Sequence, residues 1–125
     1  MLTTEDEIKE LRNFVDHLNS MKDSVVIVEG KRDKIALKKI GVTGKIIEFH
    51  KFCGMINFVD SVAKHQNVII LFDGDRKGRY LTGKTIQLLQ RRTKIDLTFK
   101  KRLTKITKGK IRFIEQLVCF EYYLV

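Results

Sequence analysis

Three carboxylates stand at the ends of the two most apolar runs in the sequence. Glu29 closes Val25-Val26-Ile27-Val28, and Asp73 and Asp75 follow Val68-Ile69-Ile70-Leu71-Phe72. Residues i and i+2 of an extended segment point the same way, so both aspartates can reach one site. Carboxylates crowded at a strand edge repel one another, and a hard divalent cation relieves the repulsion. Mg2+ takes one or two carboxylates, keeps several waters and fills its octahedron with phosphate oxygens, with Mn2+ as an alternative ion. Gly30, Gly74 and Gly78 beside these acids permit sharp turns and the close approach of a phosphate. Singly the signals are weak, because Asp-x-Asp is equally a turn followed by the N-cap of a helix. Their order along the chain carries the inference: apolar strand, Glu-Gly, helix, then apolar strand, Asp-x-Asp-x-x-Gly, helix. Asp33, one helical turn after Glu29, is a further candidate carboxylate, with a helix-cap or surface-pair role as the alternative.

The elements that must position these residues follow from hydrophobic periodicity. Thr4-x-x-Glu7 opens an expected amphipathic helix over 4–21, with Ile8, Leu11, Val15 and Leu18 on one stripe. The Val25–Val28 run suits a strand buried on both faces of a parallel sheet. A helix over 32–40 stops at Gly41, a natural C′ residue. A weaker strand over 45–49, a helix over 55–64, the strand 68–72, a helix over 77–92 and a short strand over 95–98 come next. Phe99, Leu103 and Ile106 mark a short helix with one buried stripe, and Ile111, Ile114 and Val118 give a last helical pattern. Alternating strands and helices predict a three-layer, Rossmann-like α/β fold with a mainly parallel four-stranded sheet. In such sheets ligands gather at the carboxyl ends of the strands, where all three acids stand. The expected organisation is an N-terminal helix over 1–22 packed on the domain, a core over 23–107, and a C-terminal helix with an apolar tail over 108–125.

Charge points to the same kind of ligand. The 125 residues carry 25 Lys and Arg against 15 Asp and Glu, a formal charge of +10. Residues 76–112 hold fourteen basic side chains and only Asp96 as an acid, so one stretch accounts for the whole excess. A solvated helix face usually mixes signs, and a one-sided block suits a phosphate-bearing partner, RNA or DNA. Lys31 and Arg32 follow Glu29, and Arg76 and Lys77 follow Asp75, so these four can flank the acidic site. Lys100, Lys101 and Arg102 extend the block as further phosphate-binding candidates. No apolar run approaches the roughly 20 residues of a membrane helix, and the first ten residues are acidic rather than signal-like. Membrane partners are therefore not expected. Cys53 and Cys119 are too few for a disulfide framework, which makes a reducing cytoplasm the expected compartment.

VVIVEGKRD (25–33) together with VIILFDGDRKG (68–78) resembles the Toprim domain of topoisomerases, bacterial-type primases, OLD-type nucleases and the ribonuclease that matures 5S ribosomal RNA. The resemblance covers roughly 23–107, and with KIDLTFKKRLTKI and IRFIEQL it is most similar to the small stand-alone archaeal Toprim proteins. It implies that Glu29 acts as general acid or base on a phosphodiester bond and that Asp73 and Asp75 hold Mg2+. Gly74 departs from relatives, which often carry a bulkier residue or proline there. Tyr80, Tyr122 and Tyr123 lack the context of a topoisomerase nucleophile and read as packing residues. The expected function is a Mg2+-dependent nuclease or RNA-processing factor. The alternative is a non-catalytic RNA- or DNA-binding module that docks phosphates through the acidic site and a basic face.

Three other signals compete. Gly78 to Thr85 matches the P-loop pattern G-x-x-x-x-G-K-[ST], but DGDRK separates it from its strand and the segment reads as a helix. His50-x-x-Cys53 lacks partners at zinc-ligand spacing. Gln116-Leu-Val-Cys119-Phe-Glu-Tyr122-Tyr123 partly resembles a sliding-clamp-binding peptide, which makes a clamp protein a candidate partner.

Overall fold

The computed structural model describes residues 4–124. Residues 1–3 and 125, the outer ends of the expected N- and C-terminal segments, lie outside the described residues. Helix α1 (Glu5–Ser20) starts as expected, with the Thr4 hydroxyl accepting the Glu7 N–H at 3.1 Å. The Glu7 carboxylate pairs with Lys110 at 3.5 Å. Next come β1 (Ser24–Val28), α2 (Lys31–Lys39) and β2 (Ile46–Glu48), followed by a 3-10 turn over Phe49–Lys51. Then come α3 (Met55–Val62), β3 (Asn67–Ile70), α4 (Arg76–Leu89), β4 (Lys94–Asp96) and α5 (Thr98–Ile106). The strand expected over 95–98 is short because the Asp96 carboxylate accepts the Thr98 N–H at 2.8 Å and turns the chain into α5. Gly41 ends the α2 region with φ +107°, a conformation that side chains disfavour.

The four strands form one sheet in the order β2-β1-β3-β4, parallel throughout. Both faces are covered, as the continuous apolar strands require. Val26, Val28, Ile69 and Leu71 pack toward α1, α2, α5 and the C-terminal segment. Val25, Ile27, Val68, Ile70 and Phe72 pack toward α3 and α4. The chain leaves β1 on one side toward β2 and returns on the other side at β3, so the strand order reverses between β1 and β3. In doubly wound sheets a crevice opens at that point, outside the carboxyl ends of the strands.

The C-terminal segment is where the helix expectation fails. Ile114–Phe120 is a 3-10 helix, capped by the Gln116 side-chain oxygen, which accepts the Arg112 and Phe113 N–H groups at 3.0 Å each. Ile111, Ile114, Leu117 and Phe120 are all buried. A spacing of three is the repeat of a 3-10 helix, where i and i+3 eclipse. Val118, taken from the sequence as the next buried position, is exposed. Helix α6 (Glu121–Leu124) completes the chain and lies against α1, where the Arg12 guanidinium donates to the Tyr123 carbonyl at 2.8 Å.

Candidate functional site

Glu29 sits one residue past β1 at the sheet's switch point, only 6% exposed. Its carbonyl accepts the His50 N–H at 2.9 Å, which ties the β1 and β2 ends together. One carboxylate oxygen, Oε1, is buried without a hydrogen-bond partner. Across the reversal, Asp73 follows β3. Its Oδ1 accepts the Ile114 N–H at 2.7 Å, and the neighbouring Gly74 N–H donates to the Arg112 carbonyl at 2.6 Å. The C-terminal segment thus clamps the aspartate turn. Asp75 is the N-cap of α4, accepting the Gly78 N–H at 2.8 Å through Oδ1. Each aspartate commits one carboxylate oxygen, Oδ1, to a backbone N–H. Asp33 takes the helix-cap role that the sequence offered as the alternative. It is buried, its Oδ2 accepts the Gly30 N–H at 3.1 Å as a helix cap, and it adds charge to the cluster.

The electrostatics follow from burial and like charge. Burial, then repulsion from Asp73, Asp75 and Asp33, raises Glu29 from 4.5 to about 7, with the Asp73 backbone N–H pulling the other way. Burial raises Asp33 and Asp73 as well, each with repulsion from another acid of the cluster. The cation facing the group is Lys100. Burial lowers its pKa, and Asp73, Asp33, Asp75 and Glu29 all attract its ammonium group. Lys100 was read from the sequence as part of an outward basic block; the fold instead turns it toward the acids, its Nζ 3.9 Å from where a Cβ on Gly74 would lie. Glu115 also bears on Asp33 and Asp73 and had no signal in the sequence.

The other candidates divide. Lys31, Arg32, Arg76 and Lys77 are exposed in the first turns of α2 and α4, beside the acids. Lys101 faces solvent. Arg102 is turned to α1, where its guanidinium lies 6.0 Å from the Phe14 ring centroid and bonds His17 Nδ1 at 2.9 Å. The P-loop match falls wholly inside α4, so its backbone is helical and cannot cradle phosphates. In the clamp-like peptide Gln116 is engaged as a cap and Leu117 and Phe120 are buried, while Val118, Cys119, Tyr122 and Tyr123 are exposed, so the two tyrosines are not the packing residues the sequence suggested. Cys53 and Cys119 are free.

Gly78 has a packing reason for its identity. A Cβ there would overlap the Asp73 carbonyl, so any side chain forces the aspartate turn to move. Gly78→Ala is expected to destabilise the protein by about 1–3 kcal/mol, the usual cost of overpacking. Denaturant unfolding checks this, and an unchanged midpoint would show that the turn yields freely.

The donor chemistry fits a hard divalent cation. The available groups are carboxylate oxygens, and one of them, Glu29 Oε1, is buried and unsatisfied. Among the described residues no three acids, histidines or cysteines are drawn close enough to hold a metal by themselves.

A parallel sheet with acids at its switch point, Glu29 after one strand and an Asp-x-Asp turn after the next, defines the Toprim class. Residues 24–115 match the Toprim domain family, and the chain belongs to it. Its relatives include UPF0292 proteins of Thermococcus sibiricus and Archaeoglobus fulgidus. The first is 34% identical over 113 residues, covering 90% of this chain and 88% of that one. The second is 30% identical over 118 residues, covering 92% of each. A solved structure, a putative protein from Aquifex aeolicus, superposes with a TM-score of 0.68 at 30% identity, covering 85% of this chain and 96% of that one. Toprim domains generally bind Mg2+ and serve nucleic-acid-related functions. No described helix is long and apolar enough to cross a membrane.

Proposed function

We propose that the protein is a Mg2+-dependent Toprim enzyme acting on nucleic-acid phosphodiesters, as a nuclease or RNA-processing factor. The observation that carries this reading is the buried Glu29 carboxylate with one unsatisfied oxygen, facing Asp73 and Asp75 at the switch point. A carboxyl group raised to about 7 exchanges its proton near neutral pH, which suits a general acid or base. Asp73 and Asp75, with Glu29, are the residues that would hold the metal, which when bound supplies charge neutralisation at the phosphoryl oxygens. Lys31, Arg32, Arg76 and Lys77 border the acids and position a phosphate backbone without reading bases.

One observation favours a second reading, a binding module without chemistry: the Lys100 ammonium faces the carboxylates and offsets their charge without a metal. Incubation of labelled RNA and DNA with Mg2+, Mn2+ or a chelator separates the two. The enzyme cleaves with a metal and stops on chelation. Asp73→Asn and Asp75→Asn keep an oxygen for the Ile114 and Gly78 N–H groups, so they retain the fold and are expected to lose about 100-fold or more in rate. Absence of cleavage with either metal, together with salt-sensitive binding, would establish the module instead.

A further inference from the structure

The sequence directs attention to the basic block at 76–112, yet a basic concavity also lies along α2. It is a groove of about 510 Å3 between α2 and the end of β2, lined by Lys31, Lys34, Lys38, Lys39 and Lys51, with Ile35 and Glu48. Lys31, Lys34 and Lys38 share one helix face, at positions i, i+3 and i+7. Like charges at that spacing repel, so the face is built at a cost that a polyanion would offset. The one acid lining the groove, Glu48, is buried and already committed, 3.3 Å from Lys51 and 3.9 Å from Lys34. Lys38 is held in place by donating to the Gly44 carbonyl at 3.0 Å. Five ammonium groups against one neutralised carboxylate leave a surplus of positive charge.

The placement ties this surplus to the acidic site. Lys31 follows Gly30 directly, and Lys51 follows His50, whose N–H holds the Glu29 carbonyl. The lining of the groove therefore starts two residues after Glu29 in the chain, at Lys31, and runs along α2 for about 12 Å, at 1.5 Å per residue. Ile35, 42% exposed, gives an apolar strip against which sugar and base faces can lie. By contrast, α5 offers less basic surface than its sequence promised, since Lys100 turns to the acids and Arg102 to α1.

We infer that the α2 groove is the track for the nucleic-acid strand whose phosphodiester reaches Glu29. This rests on the proposed action on nucleic acid and adds where the strand runs. The test is binding of fluorescein-labelled single-stranded RNA and DNA across a salt series, read by anisotropy. A triple Lys31→Gln/Lys38→Gln/Lys39→Gln variant leaves Lys34 and Lys51 to pair with Glu48, so the buried acid stays satisfied. It is expected to weaken binding by about tenfold or more near 0.1 M salt. The slope of log K against log salt should flatten by about 2, at roughly 0.7 per phosphate contact. The equal charge loss Lys84→Gln/Arg91→Gln/Lys94→Gln is expected to change affinity by less than about threefold, and Arg at 31, 38 and 39 should restore binding. Equal losses in the two Gln triples would overturn the track. So would unchanged binding in the groove triple, the result expected if the groove serves an acidic protein surface. Wild-type protein that binds neither RNA nor DNA would overturn the nucleic-acid reading along with it.

Discussion

Replacing Glu29 by Gln is expected to lower Mg2+-dependent cleavage by about 100-fold or more, while nucleic-acid binding stays within about twofold. The two side chains have the same shape, and the Gln carbonyl can still receive the Asp73 backbone N–H that faces Glu29. What disappears is a carboxylate that can exchange a proton and that, with Asp73 and Asp75, would hold the metal. A general acid or base contributes roughly 100- to 10,000-fold, so the loss should fall on the rate rather than on affinity. Misfolding would act in the opposite sense. Removing one charge from a buried cluster of like charges should leave the metal-free variant at least as stable as wild type near neutral pH. Single-turnover cleavage with saturating enzyme, alongside anisotropy, separates the two quantities. Wild-type cleavage rates in Glu29→Gln would remove Glu29 from the chemistry and leave the metal alone to account for it.

The backbone of this site was legible because apolar strands in a covered parallel sheet end abruptly, and an acid at such an end has few places to point. Val25–Val28 and Val68–Phe72 announced both strands, and their ends placed Glu29, Asp73 and Asp75 at one edge. Asp75 also shows why the local alternative was not a rival: the same carboxylate caps α4 through one oxygen while its charge bears on Glu29. Lys100 was not legible. Its neighbours Phe99 and Leu103 mark the buried stripe of α5, but the helix's rotation against the sheet decides which flanking lysine meets the acids. The strap over Asp73 was hidden for a different reason. Ile111, Ile114, Leu117 and Phe120 recur every three residues, but an α-helical template selects Val118 instead of Leu117 and misses the 3-10 geometry. The α2 lysines were visible as letters, yet charge summed along the chain weighted the denser block at 76–112. Proximity to Glu29 comes from the β1–α2–β2 crossover, which linear charge counting does not contain.

The same carboxylate should set the pH dependence of stability when no divalent ion is present. Glu29 is raised from 4.5 to about 7, with burial the larger cause and Asp73 the next. Between those values the unfolded chain has released the proton and the folded chain still holds it. The folded state then binds more protons, so stability falls as pH rises through this window. A shift of this size corresponds to a loss on the order of 3 kcal/mol, complete above about pH 7. The raised Asp33 and Asp73 add to the fall in the same direction, beginning at the acidic end. A divalent cation reverses the logic, because it favours the ionised acids that the metal-free fold disfavours. Stabilisation by Mg2+ should therefore grow from about pH 5 to about pH 8. Urea unfolding in chelator and in millimolar Mg2+ at several pH values measures both trends, and the difference between wild type and Glu29→Gln isolates the carboxylate from every other titrating group. A chelated wild-type profile that runs parallel to that of Glu29→Gln would show that Glu29 ionises without strain, and the site would then need no cation to hold its charge.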